Sequence, residues 1–143
     1  MIKKGIILAG GTGSDRFVYE GIVAEANRND ITDFTVGTGG DIVQLDGAVT
    51  GLSDGTAVTL VTVASKTDTA NQLVVDTIAN LGAKGVTLGN LSNNTNNDFQ
   101  YAIASDTGAI FYDADGNWTA GSLQIGSIGT QSSALVAGNF AVA

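Results

Sequence analysis

Gly10-Gly11-Thr12-Gly13-Ser14-Asp15-Arg16-Phe17-Val18 is the stretch from which the rest of this chain is best read. It fits the nine-residue pattern G-G-x-G-x-D-x-U-x at every fixed position, with Phe17 as the apolar U. Gly10, Gly11 and Gly13 let the backbone turn tightly and aim carbonyl oxygens inward. Asp15 brings a carboxylate to the same point, and Phe17 folds into the core of a parallel β-roll. Calcium takes about 6–8 oxygens at ~2.3–2.6 Å. One nine-residue copy therefore supplies half a coordination shell, and a neighbouring turn must supply the rest. The alternative for the same residues is a glycine-rich turn with a solvated aspartate.

Outward from that turn the chain reads as short strands. Gly5–Ala9 is an apolar strand before it, and residues 20–30 are polar and loop-like. Ile31, Phe34 and Val36 precede the turn Gly37-Thr38-Gly39-Gly40, and Ile42, Val43 and Leu45 follow it, which predicts two more strands. Asp54-Gly55 marks a tight turn, and Val58–Val63 is β-branched and strand-like. Leu73, Val74, Thr77, Ile78 and Leu81 recur at helical spacing. With Thr67 or Asp68 as N-cap and Gly82 as the C′ residue, they predict one core-packing helix near 68–81. Asn90–Asp98 is an asparagine-rich loop. Phe99–Ile103, a turn at Ser105–Gly108 and Ile110–Tyr112 form a hairpin signature, and Leu123–Ile125 and Phe140–Val142 complete the strands. The expected fold is a mainly β single domain over 1–143. It starts with a short, solenoid-like parallel β-roll over 1–45, continues with strands and a helix over 46–98, and ends in an antiparallel β cap over 99–143.

Composition removes most chemistry. Histidine and cysteine are both absent. That excludes Ser/His/Asp triads, thiol nucleophiles, histidine bases and nearly all structural zinc sites. Proline is absent too, so the 20 glycines must supply the turns. Fourteen acidic residues against six basic give a net charge of −8. That balance repels nucleic acid and anionic membrane surfaces, and an excess of Asp suits hard cations. No run of about 18 apolar residues exists, so no membrane insertion is expected. Met1-Ile2-Lys3-Lys4 imitates the basic start of a signal peptide. The apolar run Gly5–Ala9 stops short of the roughly 7–15 residues needed, so an export signal is expected elsewhere.

A longer stretch adds a resemblance. Asp30-Ile31-Thr32-Asp33-Phe34-Thr35-Val36-Gly37-Thr38-Gly39-Gly40-Asp41-Ile42-Val43-Gln44-Leu45 is similar to the segment that follows the nine-residue repeats near the C-terminus of repeats-in-toxin proteins. Thr107–Asn117 with Leu123-Gln124-Ile125 resembles the cap hairpin of that family. Gly138-Asn139-Phe140-Ala141-Val142-Ala143 resembles the tail that ends many type I secretion substrates, with Asn139 where they usually carry Asp. The resemblance covers roughly 5–45 and 99–143. It implies a secreted or cell-surface bacterial module that binds calcium ions and is exported by a type I secretion transporter. By family position, Asp33 and Asp41 are the carboxylates that complete the half-site of Asp15 and the Gly10–Gly13 carbonyls. Low internal calcium then keeps the chain loose, and external calcium folds it. The family usually stacks several repeats, and this chain has one complete copy. It is expected to be either the C-terminal piece of a longer protein or a small member with a rudimentary roll.

Asp113, Asp115 and Asn117 place oxygen side chains at i, i+2 and i+4. Gly116 at the fourth position and Gln124 at the twelfth exclude an EF-hand. A hairpin turn and a separate calcium loop both remain open for these residues. Lys4–Asp15 also looks like the opening of sugar-phosphate nucleotidyltransferases. Their glycine loop is followed by Arg and Pro, whereas here Asp15 precedes Arg16 and the next 50 residues read as β. A phosphate-binding P-loop fails because no Lys-Ser/Thr follows Gly10–Asp15. The sequence thus points to a non-catalytic, extracellular calcium-binding module. The second reading is a surface-layer or filament subunit, whose apolar strand Gly5–Ala9 would pair between copies of itself.

Overall fold

The computed structural model describes residues 6–19, 28–47, 52–67, 71–84, 87–88, 100–115, 118, 122–131 and 133–143. Its strands are β1 (Ile6–Leu8), β2 (Arg16–Val18), β3 (Asn29–Ile31), β4 (Ile42–Leu45), β5 (Thr59–Val61), β6 (Gln72–Asp76), β7 (Ala83–Lys84), β8 (Thr87–Leu88), β9 (Tyr101–Ala104), β10 (Ala109–Tyr112), β11 (Leu123–Ser127) and β12 (Phe140–Val142). The fold is mainly β. Seven strands form one sheet in the order β1-β3-β11-β10-β9-β6-β5, and three form a second in the order β12-β4-β2. β7 and β8 pair separately.

The first strands alternate between the two sheets. From β1 the chain crosses to β2, returns to β3 beside β1, and crosses again to β4 beside β2. Both pairings are parallel, with Ile6 against Asn29 and Arg16 against Ile42. β11 and β12 repeat the crossing from the other end of the chain. β11 lies parallel to β3, and β12 parallel to β4 with Phe140 against Val43. From β11 the large sheet continues antiparallel through β10 and β9, the hairpin that the sequence announced. β6 and β5 then extend it in parallel. Gly126 lets β11 approach closely, because a Cβ there would sit 2.5 Å from the Tyr19 hydroxyl. That hydroxyl donates to the Asn29 carbonyl at 2.7 Å.

The sheets pack face to face. Phe17, Val43, Leu45, Phe140 and Val142 of the small sheet share one core with Ile31, Leu73, Tyr101, Ile103, Ile110, Tyr112 and Ile125 of the large one. The large sheet also buries its outer face, where Val74, Leu81, Ala102, Ala104, Ala109, Phe111 and Trp118 form a second cluster. Alternate residues of β9 and β10 therefore enter opposite cores, which is why both strands are buried along their whole length.

The helix expected near 68–81 is mostly strand. Gln72–Asp76 is β6, held between β5 and β9, and only Ile78–Leu81 is helical. This single turn, α1, is capped by the Thr77 side chain and by Gly82 at φ 75. Adjacent Leu73 and Val74 face opposite cores, a placement that a strand achieves and a helix does not. Their apolar spacing fits both periods, and the slot between β5 and β9 selects the extended one. Smaller differences follow the same logic. β3 begins at Asn29, inside the segment expected to be loop, and ends at Ile31. Phe34 is buried in the turn beyond it, its ring 6.1 Å from that of Phe17. β5 stops at Val61, and Val63–Ser65 is a 3₁₀ turn capped by Thr62. The loop expected at 90–98 lies outside the described residues. Among those residues no helix is long and apolar enough to cross a membrane.

Candidate cation site at the stacked turns

The parallel pairings set the turn between β1 and β2 beside the turn between β3 and β4. Glycine makes both turns, with positive φ at Gly11 and Gly13 in the first and at Gly37 and Gly39 in the second. The two turns are bonded to each other side chain to backbone. The Gly10 amide donates to Asp33 Oδ1 at 3.0 Å, and the Gly11 amide to Asp33 Oδ2 at 2.8 Å. The Asp15 amide donates to Asp41 Oδ1 at 2.8 Å, and the Thr35 amide to Asp41 Oδ2 at 2.7 Å. Ser14 Oγ donates to the Gly40 carbonyl at 2.6 Å. Asp41 is buried and Asp33 lies nearer solvent.

Gly10, Gly11, Gly13, Asp15, Asp33 and Asp41 are thus brought to one place, as the sequence reading expects. The geometry adds how each carboxylate is employed. Asp33 and Asp41 each accept two backbone N–H groups. Asp15 differs: its Oδ2 is buried and meets no hydrogen-bond donor among the described residues. That oxygen lies so close to Gly10 that a Cβ there would be 2.6 Å away, so only glycine fits. Among the described residues no group of three or more His, Cys, Asp or Glu side chains converges on a point. Any cation seated here would use backbone and hydroxyl oxygens as well as carboxylates.

The Gly11 amide and then the Gly10 amide hold the Asp33 carboxyl below its usual range, against a smaller opposing effect of burial. Its ionised form is thereby favoured as the acceptor for both amides of the first turn.

Asn139, which the sequence reading placed only in the export tail, has a structural role that reading missed. It is fully buried at the start of β12. Its Oδ1 accepts from the Gly37 amide at 3.2 Å and the Val136 amide at 3.1 Å, and its Nδ2 donates to the Asp41 carbonyl at 2.9 Å. It locks the C-terminal crossing to the turn that carries Asp41. The one available signal was Gly138-Asn139 before an apolar strand, too common a pattern to single out.

Asp113 and Asp115 belong to a different turn, after β10. Asp113 is buried, and its Oδ1 accepts from the Asp115 amide at 3.2 Å, an Asx turn. Asp115 is exposed, and Asn117 lies outside the described residues. These residues are not part of the stacked turns.

Comparison with family models, with curated proteins and with solved structures finds no match for the chain.

Two outcomes follow from the bonding. Asn139→Ala leaves the Gly37 and Val136 amides and the Asp41 carbonyl without their partner. It should cost about 2–4 kcal/mol, read as a lower urea midpoint with an unchanged slope. Asn139→Asp keeps both accepting contacts and loses the donor, so its midpoint should fall between the two. The second outcome concerns pH. The Asp33 carboxyl is depressed in the folded state, so its contribution is complete above the unfolded value of about 3.9. It is lost as pH falls through the lower folded value. Acid titration followed by circular dichroism should show Asp33→Asn flattening the stability loss below about pH 4; an unchanged acid limb contradicts the assignment.

Proposed function

We propose that this chain is a non-catalytic module whose stacked glycine turns bind calcium and are stabilised by it. The observation that carries this reading is the enclosed Asp15 Oδ2, a carboxylate oxygen without a donor among the described residues, on a turn whose amides are bonded by Asp33 and Asp41. An enclosed carboxylate oxygen that no donor meets is the kind of atom a hard cation binds. Each ionised carboxylate has about four lone-pair sites. Asp33 and Asp41 therefore keep acceptor capacity after bonding their amides. Asp15 is the principal ligand in this reading, with Asp33 and Asp41 beside it. The bound ion would neutralise the turns and hold the first two crossings together.

The reading extends to an extracellular or cell-surface setting and to export by a bacterial type I transporter. Support for that part lies in the sequence, where residues 85–143 contain no Lys or Arg and the tail is similar to those of such substrates. β12 is paired with β4 in the folded chain, so a transporter would have to read the tail before folding.

A second reading, self-association, is favoured by one specific observation. Ile6 and Ile7 are 59% and 74% exposed on β1, the outermost strand of the large sheet. Such an edge invites strand addition from another copy. Size exclusion in calcium separates the two readings, a discrete monomer supporting the module and polymers the subunit.

Melting curves in EDTA and in 10 mM calcium test the calcium reading. Sites of this class bind at ~10⁻⁴–10⁻³ M. At ~100-fold excess, binding adds about 2.7 kcal/mol, or roughly 5–10 °C for a chain of this size. Asp15→Asn should abolish most of the rise. Asp106→Ala removes an acceptor for the Ile78 amide and should lower both curves without changing their separation. Equal curves in calcium, magnesium and EDTA would overturn the proposal.

A further inference from the structure

Three oxygen-bearing side chains stand in one cross-strand row where the antiparallel ladder ends. Tyr112 pairs with Tyr101 on one side and with Leu123 on the other. One step further, Asp113 comes opposite Gln100 and opposite Ser122, and the Asp113 amide donates to the Gln100 carbonyl at 2.8 Å. Residues opposite each other in such a ladder share a face, and successive rows alternate faces. Tyr101, Tyr112 and Leu123 face the core between the sheets, with the two tyrosine rings 5.4 Å apart. Gln100, Asp113 and Ser122 therefore stand on the outer face, the face that Phe111 and Trp118 cover.

Two members of the row are closed to water, and Gln100 is half-buried. Asp113 and Ser122 are each 1% exposed. Gln100 Oε1 and Ser122 Oγ are buried, and neither has a hydrogen-bond partner among the described residues. Two unsatisfied oxygens thus flank a buried carboxylate, in a part of the chain, residues 85–143, that contains no Lys or Arg. Buried polar atoms are nearly always bonded, and a cluster of oxygens on a carboxylate is what a hard cation selects.

We propose that Gln100, Asp113 and Ser122 hold a second cation of the calcium class, bound by an amide oxygen, a carboxylate and a hydroxyl. This donor set differs from a loop of Asp113, Asp115 and Asn117, because two ligands come from neighbouring strands rather than from the turn. Its role would be to pin the ends of β9, β10 and β11 together. The site does not rest on the stacked turns, and its variants are distinct from Asp15. A bridging water is the competing occupant, and it predicts no dependence on any metal.

Terbium, which takes calcium's oxygen ligands, reports the site through the single tryptophan of the chain, Trp118. The full chain is titrated with terbium under tryptophan excitation. Sensitised emission should saturate and be displaced by calcium. Ser122→Ala and Gln100→Leu should each weaken terbium binding at least tenfold, while Asp15→Asn leaves this emission in place. In EDTA, Ser122→Ala should melt no lower than the parent, since it removes an oxygen that no hydrogen bond uses. Gln100→Leu supplies the same comparison should Ser122→Ala fail to fold. Absent emission, or emission that both row variants leave intact, overturns the proposal. Emission lost with Asp15→Asn alone also overturns it, by assigning the ion to the stacked turns.

Discussion

The structure depends most on side-chain-to-backbone bonds that tie its two chain ends into one stack. Asn139 reaches across 98 residues to the Asp41 carbonyl and across 102 to the Gly37 amide. Asp41 in turn accepts from the amide of Asp15, 26 residues earlier. Parallel strands cannot be joined by a short turn, and each such pairing must offset the entropy of closing a long loop. Backbone bonds within three-residue strands supply little of that. Buried carboxylate and amide groups, each bonded to two or more main-chain atoms, supply the remainder and fix the register of the small sheet.

That role changes how the aspartates are understood. A carboxylate that accepts two amides is held in one orientation, and at Asp33 the Gly11 and Gly10 amides also favour the ionised form. The same bonds fix the directions of the remaining lone pairs. Asp33 and Asp41 thus have a structural role in joining the two turns. Asp15 is the exception, since its Oδ2 is enclosed against Gly10 and meets no donor among the described residues. In the middle of the large sheet another aspartate, Asp113, is buried between Gln100 and Ser122.

Local sequence determined the strands whose pattern left one choice. Alternation in Phe99–Ile103, a turn at Ser105–Gly108 and the apolar run Ile110–Tyr112 led directly to the hairpin, seen as β9 against β10. The turns were equally legible, because only glycine accepts φ near +90 or +120 at Gly11 and Gly13. Residues Gly10 to Asp41 announced a clustered site because glycine turns and aspartates recur there at matched spacing.

Tertiary structure decided the rest. Gln72–Asp76 is extended because β5 and β9 flank it and its adjacent leucine and valine serve two cores, a fact no local period contains. The pairing of β12 with β4 joins segments about 100 residues apart, and Asn139 acquires its function only through that pairing. Gln100 and Ser122 carry no motif, yet register places them on either side of Asp113. A sequence states which residues want burial, turning or charge. Which of them meet is set by packing between distant segments, and both candidate sites lie where such segments meet.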